Sequence, residues 1–210
     1  MAQMKQSIVL IGDVIGSRGA ADRAALHNSL VAALDDVNGR WDTDLRITVG
    51  DEYQGTAPTV GAATGIALAL RLALLPTYDV RHGIARGGAA VLDKKAGIED
   101  GPGWWAARDA IEAAEDRAQR AVTRGSRTAF RSADPDEQVG ALEAALLARD
   151  ELVSRLDERS LSVLRGVLSG RSQRELAAEE GVSASAISQR VRHDSIGVIV
   201  TMTQWMEAQP

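Results

Sequence analysis

The sequence contains no cysteine, and its only lysines are Lys5, Lys94 and Lys95. The absence of cysteine excludes disulfides and thiolate metal sites. The apolar run from Ile8 to Ile11 is cut off by Gly12 and is too short for a signal peptide or a membrane span. We therefore expect a cytoplasmic protein with no membrane partner.

Several common enzyme motifs are also missing. There is no Gly-x-Ser-x-Gly elbow, no phosphate-binding loop with its lysine, and no dinucleotide glycine fingerprint. The three histidines, His27, His82 and His193, lack zinc-site spacing, and His82 is interpreted as an ordinary sheet residue. The net charge of −5 argues against a protein that binds nucleic acid over most of its surface, but it is compatible with a local basic face.

Two carboxylates stand at the ends of predicted strands. Asp13 follows the apolar run that ends at Ile11, and Asp51 follows the strand predicted from Leu45 to Val49. Glycines beside both acids predict turns in which the backbone can approach a ligand. Carboxylate oxygens suit Mg²⁺ or Mn²⁺ together with substrate phosphates. The alternative is that both are plain turn acids, since Asp beside Gly is common at strand ends.

The pattern of the first 132 residues predicts an α+β domain of order βαββαββ. Helices are expected at 21–38 and 58–75, the latter a buried core helix, and strands at 7–11, 45–49, 53–56, 79–86 and 89–92. Residues 93–103 are predicted to form a loop, 104–124 a helix with Val122 on its apolar stripe, and 127–131 an edge strand. We predict domain boundaries at 1–132, 133–157 and 158–210, where the middle segment is a linker helix that starts at Asp134-Pro135.

The C-terminal segment has the pattern of a helix-turn-helix. Three short helices are predicted at 161–168, 172–180 and 184–193, with Ser172 and Ser183 as caps and Gly181 at the turn. Val182, Ile187 and Val191 are the expected core positions. The residues predicted to face a DNA groove are Ser185, Ser188, Gln189, Arg190 and Arg192. The acids Glu175, Glu179 and Glu180 weaken this case, and the alternative is a helical hairpin in a dimerisation bundle.

Four short segments occur in an order that resembles a known domain: Gly12-Asp13-Val14-Ile15-Gly16-Ser17, Val49-Gly50-Asp51-Glu52-Tyr53, Arg81 to Gly87, and Ala106-Ala107-Arg108. Together they resemble the class III nucleotidyl cyclase domain, and the hairpin is similar to that of GGDEF domains. With the helix-turn-helix added, the whole chain is identified as a member of the SatD family. The resemblance covers roughly residues 7–130.

This resemblance implies a ferredoxin-like palm that works at a dimer interface. It implies Asp13 and Asp51 as ligands of two metal ions, and Arg108 as the arginine that stabilises the transition state. Residues implied to bind a purine nucleotide are Val14, Ile15, Gly16, Ser17, Gly50 and Trp104. The chain departs from the pattern at Trp104, where cyclases carry asparagine. It also departs at Ile47, where cyclases carry a polar residue that recognises the base. A missing donor costs a factor of ~100 to 1,000 in rate, so efficient cyclisation is not expected.

The sequence therefore predicts a homodimeric, DNA-binding regulator whose palm binds a purine nucleotide with Mg²⁺ or Mn²⁺. One alternative is an active nucleotidyl- or phosphoryl-transfer enzyme that uses the same acids and Arg108. The other is a palm that serves only as a dimerisation scaffold, with Trp104 and Trp105 packed in a core or at the seam.

Overall fold

The computed structural model describes residues 4–93 and 98–210. The chain begins with β1 (Lys5–Val14), α1 (Arg23–Trp41), β2 (Arg46–Val49), β3 (Glu52–Ala57), α2 (Val60–Leu74) and β4 (Val80–Asp93). It continues with β5 (Ile98–Asp100), α3 (Pro102–Ala118) and β6 (Thr128–Ser132). The C-terminal helices are α4 (Gly140–Ser154), α5 (Glu158–Leu168), α6 (Gln173–Glu179), α7 (Ala184–His193) and α8 (Ile196–Glu207).

The strands form one mixed sheet. The order β2-β3-β1-β4 is antiparallel throughout, while β5 (antiparallel) and β6 (parallel) both pair with the outer side of β4. A βαββαβ chain in this strand order is the ferredoxin-like arrangement. The predicted α+β palm, followed by an all-helical region, is confirmed.

The two faces of the sheet are covered by different helices. Residues of β1 alternate, so that Leu10 and Val14 pack against α1 and α2, while Val9 and Ile11 pack beneath α3. The main core lies on the α1 and α2 side, and α3 covers the other. Residue parity along β1 therefore decides which face a functional side chain reaches.

Helix α2 is buried on nearly every side. Thr59 caps it by accepting a hydrogen bond from the amide of Ala62 at 3.0 Å. One side of α2 belongs to the palm core, whereas Leu68 and Leu72 belong to a second core built with α4 to α8. The predicted core helix is confirmed, and it is shared by the two parts of the chain.

Helix α8 was not predicted from the sequence. It crosses α2 closely, because a Cβ on Gly61 would lie 2.2 Å from the carbonyl oxygen of Glu207, and one on Gly65 would lie 2.4 Å from its carboxylate. Two glycines one helical turn apart give α8 a groove on α2. Gly61 and Gly65, which interrupt the apolar sequence of α2, thus form the surface that contacts α8.

The linker helix begins later than expected. Residues 134–137 form a turn in which the Asp134 carboxylate accepts from the amide of Asp136, and Glu137 pairs with Arg86 of β4 at 2.9 Å. The helix starts only at Gly140. The Asp134-Pro135 start is therefore wrong, because Asp134 caps a turn and not a helix.

Three further boundaries differ from the sequence prediction. Helix α1 runs past Asn38 to Trp41, because the Asn38 side chain bonds the backbone of Leu45 in both directions instead of ending the helix. Helix α3 ends at Ala118, which leaves Val122 87% exposed rather than on an apolar stripe. The predicted loop contains strand β5, and residues 94–97 of that prediction lie outside the described residues. Within the described ranges, no helix is long and apolar enough to span a membrane.

Candidate functional site

Asp13 lies at the end of β1 on the face covered by α3. Its cross-strand partner on β4 is Arg81, and the two side chains form a two-pronged ion pair. The Arg81 Nε donates to Oδ1 at 3.1 Å, and Nη2 donates to Oδ2 at 2.9 Å. Both oxygens of the predicted metal ligand are therefore already accepting hydrogen bonds.

Arg81 has a second acidic partner on α3. Its Nη1 lies 2.9 Å from Oε1 of Glu115, so that one guanidinium joins β1, β4 and α3. Burial by itself lowers the pKa of Arg81, but the hydrogen bonds and charges of Asp13 and Glu115 outweigh it and raise that pKa. Arg81 is thus held in its charged form.

Gly12, from the segment that contains Asp13, packs against Tyr53, from the segment that contains Asp51. Gly12 lies opposite Tyr53, and a Cβ on Gly12 would fall 2.2 Å from the Tyr53 ring. Any side chain at this position would displace the ring. The Tyr53 hydroxyl in turn lies 2.7 Å from Nε2 of His82, and both residues are fully buried. These motif residues are packing partners, and His82 is a sheet residue as interpreted.

Two glycines of β4 let α3 approach the sheet. A Cβ on Gly83 would lie 2.2 Å from the carbonyl oxygen of Ala107, and one on Gly87 would lie 2.6 Å from Cα of Gly103. Because α3 packs this closely against the sheet, Arg108 on its exposed side reaches toward the β2–β3 hairpin. The segment from Arg81 to Gly87 therefore positions α3 over the palm.

The hairpin turn carries Asp51 as predicted. Gly50 adopts a left-handed conformation with φ of 64°, and β3 starts immediately after Asp51. The adjacent Glu52 lies 3.8 Å from Arg108, and both side chains are about half exposed. Such an exposed, loosely paired arginine remains accessible to a ligand.

A cavity of about 370 Å³ opens between α3, β1 and β3. It brings together Trp104, Trp105 and Arg108, which the sequence singled out, with residues that it did not: Ile11, Gln54, Glu99 and Asp109. Ile11 and Gln54 are cross-strand partners, a pairing that only the register reveals. The predicted residues Asp13, Asp51 and 14–17 do not line this cavity.

The two tryptophans of α3 have different environments. Trp104 is only 8% exposed, and its Nε1 has no hydrogen-bond partner among the described residues. Trp105 is 60% exposed, and its Nε1 donates to Oδ1 of Asp100 at 2.9 Å, which fixes the indole beside the cavity. Trp104 packs in the core, whereas Trp105 offers an aromatic surface.

The segment after β1 does not lead into a phosphate-binding helix. Val14 is buried in the main core, Gly16 is left-handed with φ of 69°, and Ser17 opens a 3₁₀ helix of only three residues. Helix α1 starts at Arg23, and its terminal amides are capped by the Asp22 carboxylate. Gly16 and Ser17 therefore do not lie at the start of a helix whose N-terminus could favour phosphate. Ile15 is 37% exposed at the tip of this turn.

The C-terminal helices have the predicted caps and turn. Ser172 and Glu175 form a capping box on α6, Gly181 has φ of 66°, and Ser183 caps α7. Ile187 is buried and Val191 is half-buried against the second core. Val182 is 39% exposed, so its expected core position is wrong, because it sits in the turn before α7.

The side chains predicted to face DNA fall into two groups. Ser185, Gln189 and Arg192 are exposed, and Ser188 is half-buried. Arg190 instead lies against α5, where its Nη1 pairs with Asp157 at 2.9 Å and with Asp194 at 3.3 Å. The same nitrogen donates to Oγ of Ser160 at 2.6 Å. Arg190 thus fastens α7 to α5.

A family model covers nearly the whole chain. The model of the SatD family matches residues 7–208. The chain belongs to the SatD family. No curated protein matches this SatD-family chain.

Solved structures similar to this SatD-family chain are nucleotidyl cyclase domains. A dimeric guanylyl cyclase domain of the RhoGC fusion protein from the aquatic fungus Blastocladiella emersonii is 19% identical, with 53% of this chain and 77% of that chain covered and a TM-score of 0.43. The guanylate cyclase domain of RhGC from Catenaria anguillulae, in complex with GTP, is 20% identical, with 53% and 75% covered and a TM-score of 0.44. A bacterial light-regulated adenylyl cyclase is 11% identical, with 55% and 42% covered and a TM-score of 0.46. Identities below 25% carry no residue roles from those proteins to this one.

The palm of this SatD-family chain does not offer a ready metal site at Asp13. Both of its carboxylate oxygens are bound to Arg81, and Mg²⁺ needs such an oxygen directly in its shell. Within residues 4–93 and 98–210, no cluster of three or more His, Cys, Asp or Glu side chains is arranged to hold a metal ion. The two-metal arrangement implied by the sequence resemblance would have to share Asp13 with Arg81 or displace Arg81 from it.

The buried His82 predicts a pH-dependent stability. Burial, together with the charges of Arg71 and Arg149, lowers the pKa of His82 to about 3. Because the unfolded histidine titrates near 6.5, the contribution of neutral His82 is complete above that pH and is lost as the pH falls toward 3. We expect His82 to make the protein about 2 kcal/mol less stable at pH 5 than at pH 7.

Urea unfolding at the two pH values measures this loss. His82→Gln removes the titration and should reduce the difference by that amount, whereas His27→Gln, at an exposed position on α1, should retain it. An unchanged difference in His82→Gln would contradict the assignment.

Proposed function

We propose that this SatD-family protein is a cytoplasmic, homodimeric DNA-binding regulator whose palm binds a purine nucleotide. The observation that carries the proposal is the presence, in one chain, of an aromatic-walled cavity beside α3 and of a capped helix-turn-helix that shares its core with α2. Each surface alone has ordinary structural explanations. Their combination in one chain favours a protein that senses a nucleotide and binds DNA.

The nucleotide proposal rests on the cavity beside α3. Its volume of about 370 Å³ is in the range of small-molecule sites. Trp105 supplies an exposed aromatic face for a planar base, and Gln54 supplies donors and acceptors at its edge. Arg108, half exposed and one turn further along α3, is placed to meet phosphate.

The divalent ion takes a smaller part in this proposal than the sequence suggested. An ion that arrives with a nucleotide triphosphate would be held by the phosphates and by Asp51, not by Asp13. Glu52 lies next to Asp51 and faces Arg108. The chain's own contribution at this edge is therefore one arginine and the carboxylates of the hairpin.

Efficient cyclase activity is not part of the proposal. Asp13 is paired with Arg81, and Trp104 is buried where cyclases carry an asparagine. The enzyme alternative would draw on Arg108 as a phosphate or transition-state clamp. Turnover of ATP or GTP that disappears in Asp13→Ala and Asp51→Ala would favour that alternative.

The DNA proposal rests on α7 and its turn. The cap at Ser183 places the exposed Ser185 and Gln189 on the first turns of the helix, where recognition helices contact base edges. Arg192 adds an exposed positive charge near the other end. Its Nε bonds the Ser188 carbonyl at 3.4 Å, which keeps the side chain along the helix.

Nucleotide binding predicts a melting-temperature shift. At a ligand concentration 100 times the Kd, binding should stabilise the folded protein by about 2.7 kcal/mol. We expect ATP or GTP with Mg²⁺ to raise the Tm of the wild-type protein, and Arg108→Ala and Asp51→Ala to reduce that rise because they remove groups that face the phosphates.

Differential scanning fluorimetry checks this prediction, with Arg120→Ala as the matched control. Arg120 is an exposed arginine just beyond the far end of α3, so its removal should leave the shift intact. No shift with any purine nucleotide would contradict the proposal and favour the scaffold alternative.

DNA binding should separate the two arginines of α7. Arg192→Ala should weaken binding and reduce the slope of log K against log salt concentration by about 0.9 if it loses one phosphate contact, with an unchanged Tm. Arg190→Ala should lower the stability by about 1 kcal/mol, because it loses a network of partly exposed ion pairs that holds α7 to α5.

Fluorescence anisotropy with duplex DNA at several salt concentrations, together with thermal melts, provides both readouts. Arg124→Ala, an exposed palm substitution, is the control. An unchanged affinity and slope in Arg192→Ala would place the recognition surface elsewhere, and a DNA effect of Arg190→Ala without any loss of stability would place Arg190 in the groove.

A further inference from the structure

We infer that Arg81 is a built-in counter-ion that closes Asp13 to divalent metal ions. The guanidinium donates to both carboxylate oxygens, so a metal ion at Asp13 has to compete with it. The inference concerns Asp13 alone and does not depend on whether the palm binds a nucleotide. In this inference, Arg81 decides whether Asp13 can bind a divalent metal ion.

The geometry of the pair leaves no oxygen of Asp13 free of Arg81. Two parallel N–H groups, Nε and Nη2, donate to the two carboxylate oxygens at 3.1 and 2.9 Å. This fork-to-fork arrangement is the strong, orientation-specific form of an arginine–carboxylate pair. The arginine side chain is 14% exposed and the aspartate 27%, so water screens the pair less than it would at the surface.

A divalent ion at Asp13 would have to displace this arrangement. Mg²⁺ requires a carboxylate oxygen about 2.0–2.1 Å away, in its inner shell. A guanidinium that remained on the same carboxylate would bring like charges into close contact, which disfavours metal binding. The metal therefore competes with Arg81 for Asp13.

Arg81 also has contacts that stabilise its position beside Asp13. Its Nη1 is held by Glu115 on α3 at 2.9 Å, and its neighbour His82 is buried against Tyr53. Gly83, the next residue after His82, lets α3 pack directly against β4. This close packing sets the distance between Glu115 and the strand. The strand register, the buried neighbour and the helix all keep the guanidinium beside Asp13.

Other nearby charges do not provide the same cover. Arg46 on β2 lies on the same face, because its cross-strand partner Gln54 is paired in turn with Ile11, and it pairs with Asp44 at 3.4 Å. Removing Arg46 changes the charge of the face by the same amount as removing Arg81. The two substitutions therefore separate the uncovering of Asp13 from a general change in electrostatics.

The competing account is that the ion pair is only structural. In that account Glu115 takes over Arg81 whenever a metal ion arrives, and Asp13 binds the ion without hindrance. The two accounts differ in the metal affinity of the wild-type protein and in the effect of removing Arg81.

The test measures binding of Mn²⁺ to the full-length protein without nucleotide, from the electron paramagnetic resonance signal of free Mn²⁺. We expect wild-type protein and Arg46→Gln to bind Mn²⁺ weakly and alike. Arg81→Gln should bind one Mn²⁺ at least tenfold more tightly, and Arg81→Gln with Asp13→Asn should lose that gain.

Arg81→Lys guards against a folding defect in Arg81→Gln. It keeps the positive charge but cannot bond both oxygens, so its Mn²⁺ affinity should lie between those of the wild type and Arg81→Gln. A wild-type site that Asp13→Asn abolishes would overturn the inference. So would equal Mn²⁺ affinity in the folded Arg81 variants and the wild type, or an equal gain in Arg46→Gln.

Discussion

Helix α2 is the element on which both parts of the molecule depend. Its residues contribute to the palm core through Ile66 and Leu70 and to the C-terminal core through Leu68 and Leu72. A helix that is apolar all round needs apolar partners on all sides, and the palm sheet supplies only one of them. Helix α1 and the C-terminal helices supply the rest, so the C-terminal helices cannot be removed without exposing α2.

Buried charges reinforce this shared helix. Arg71, at the end of α2, pairs with Asp79 at 2.8 Å and with the fully buried Asp150 of α4 at 3.4 Å. Arg149 donates to the carbonyl oxygen of Thr64 at 3.0 Å, while burial lowers its pKa to about 10. Such buried charges are strongly destabilising when one partner is lost, by roughly 3–5 kcal/mol. They specify how α4 sits against α2.

This arrangement gives a physical route between the two proposed sites. The helix-turn-helix packs on α5, and α5 is tied to α2 by Arg165, whose Nε donates to the carbonyl oxygen of Leu72 at 2.7 Å. The cavity lies across the sheet, under α3. A ligand that shifts the sheet would change the surface on which α5 rests, and this would be allosteric only if the DNA affinity changes with the ligand.

Much of the fold could be predicted from local patterns, and most of the site could not. Alternation and helical spacing identified β1 to β4, β6, α1, α2 and the turn at Gly181, because these depend on residues near in sequence. The strands predicted separately at 79–86 and 89–92 are the single strand β4, because Gly87 and Gly88 stay paired with β1 instead of turning. The pair of Asp13 and Arg81 depends on the register of β1 against β4, which no local pattern reveals. For the same reason, the motif glycines suggested a ligand cradle when Gly12 in fact makes room for Tyr53.

The misses in the C-terminal half have the same origin. Helix α8 was overlooked although its sequence is apolar, because its partner is the distant pair Gly61 and Gly65. Arg190 was assigned to a groove because it lies on α7, but its side-chain direction is set by Asp157 at the start of α5. Tertiary partners thus decided what position along a helix could not.

Native-state hydrogen exchange in increasing urea, followed by mass spectrometry, tests most directly whether the molecule is one unit built on α2. If α2 joins the two cores, peptides from β1 and β4 and peptides from α5 and α8 should reach the same opening free energy, that of global unfolding. If α5 and α8 exchange through an opening several kcal/mol easier than that of the sheet, the helical region unfolds by itself, and the shared-core account is contradicted.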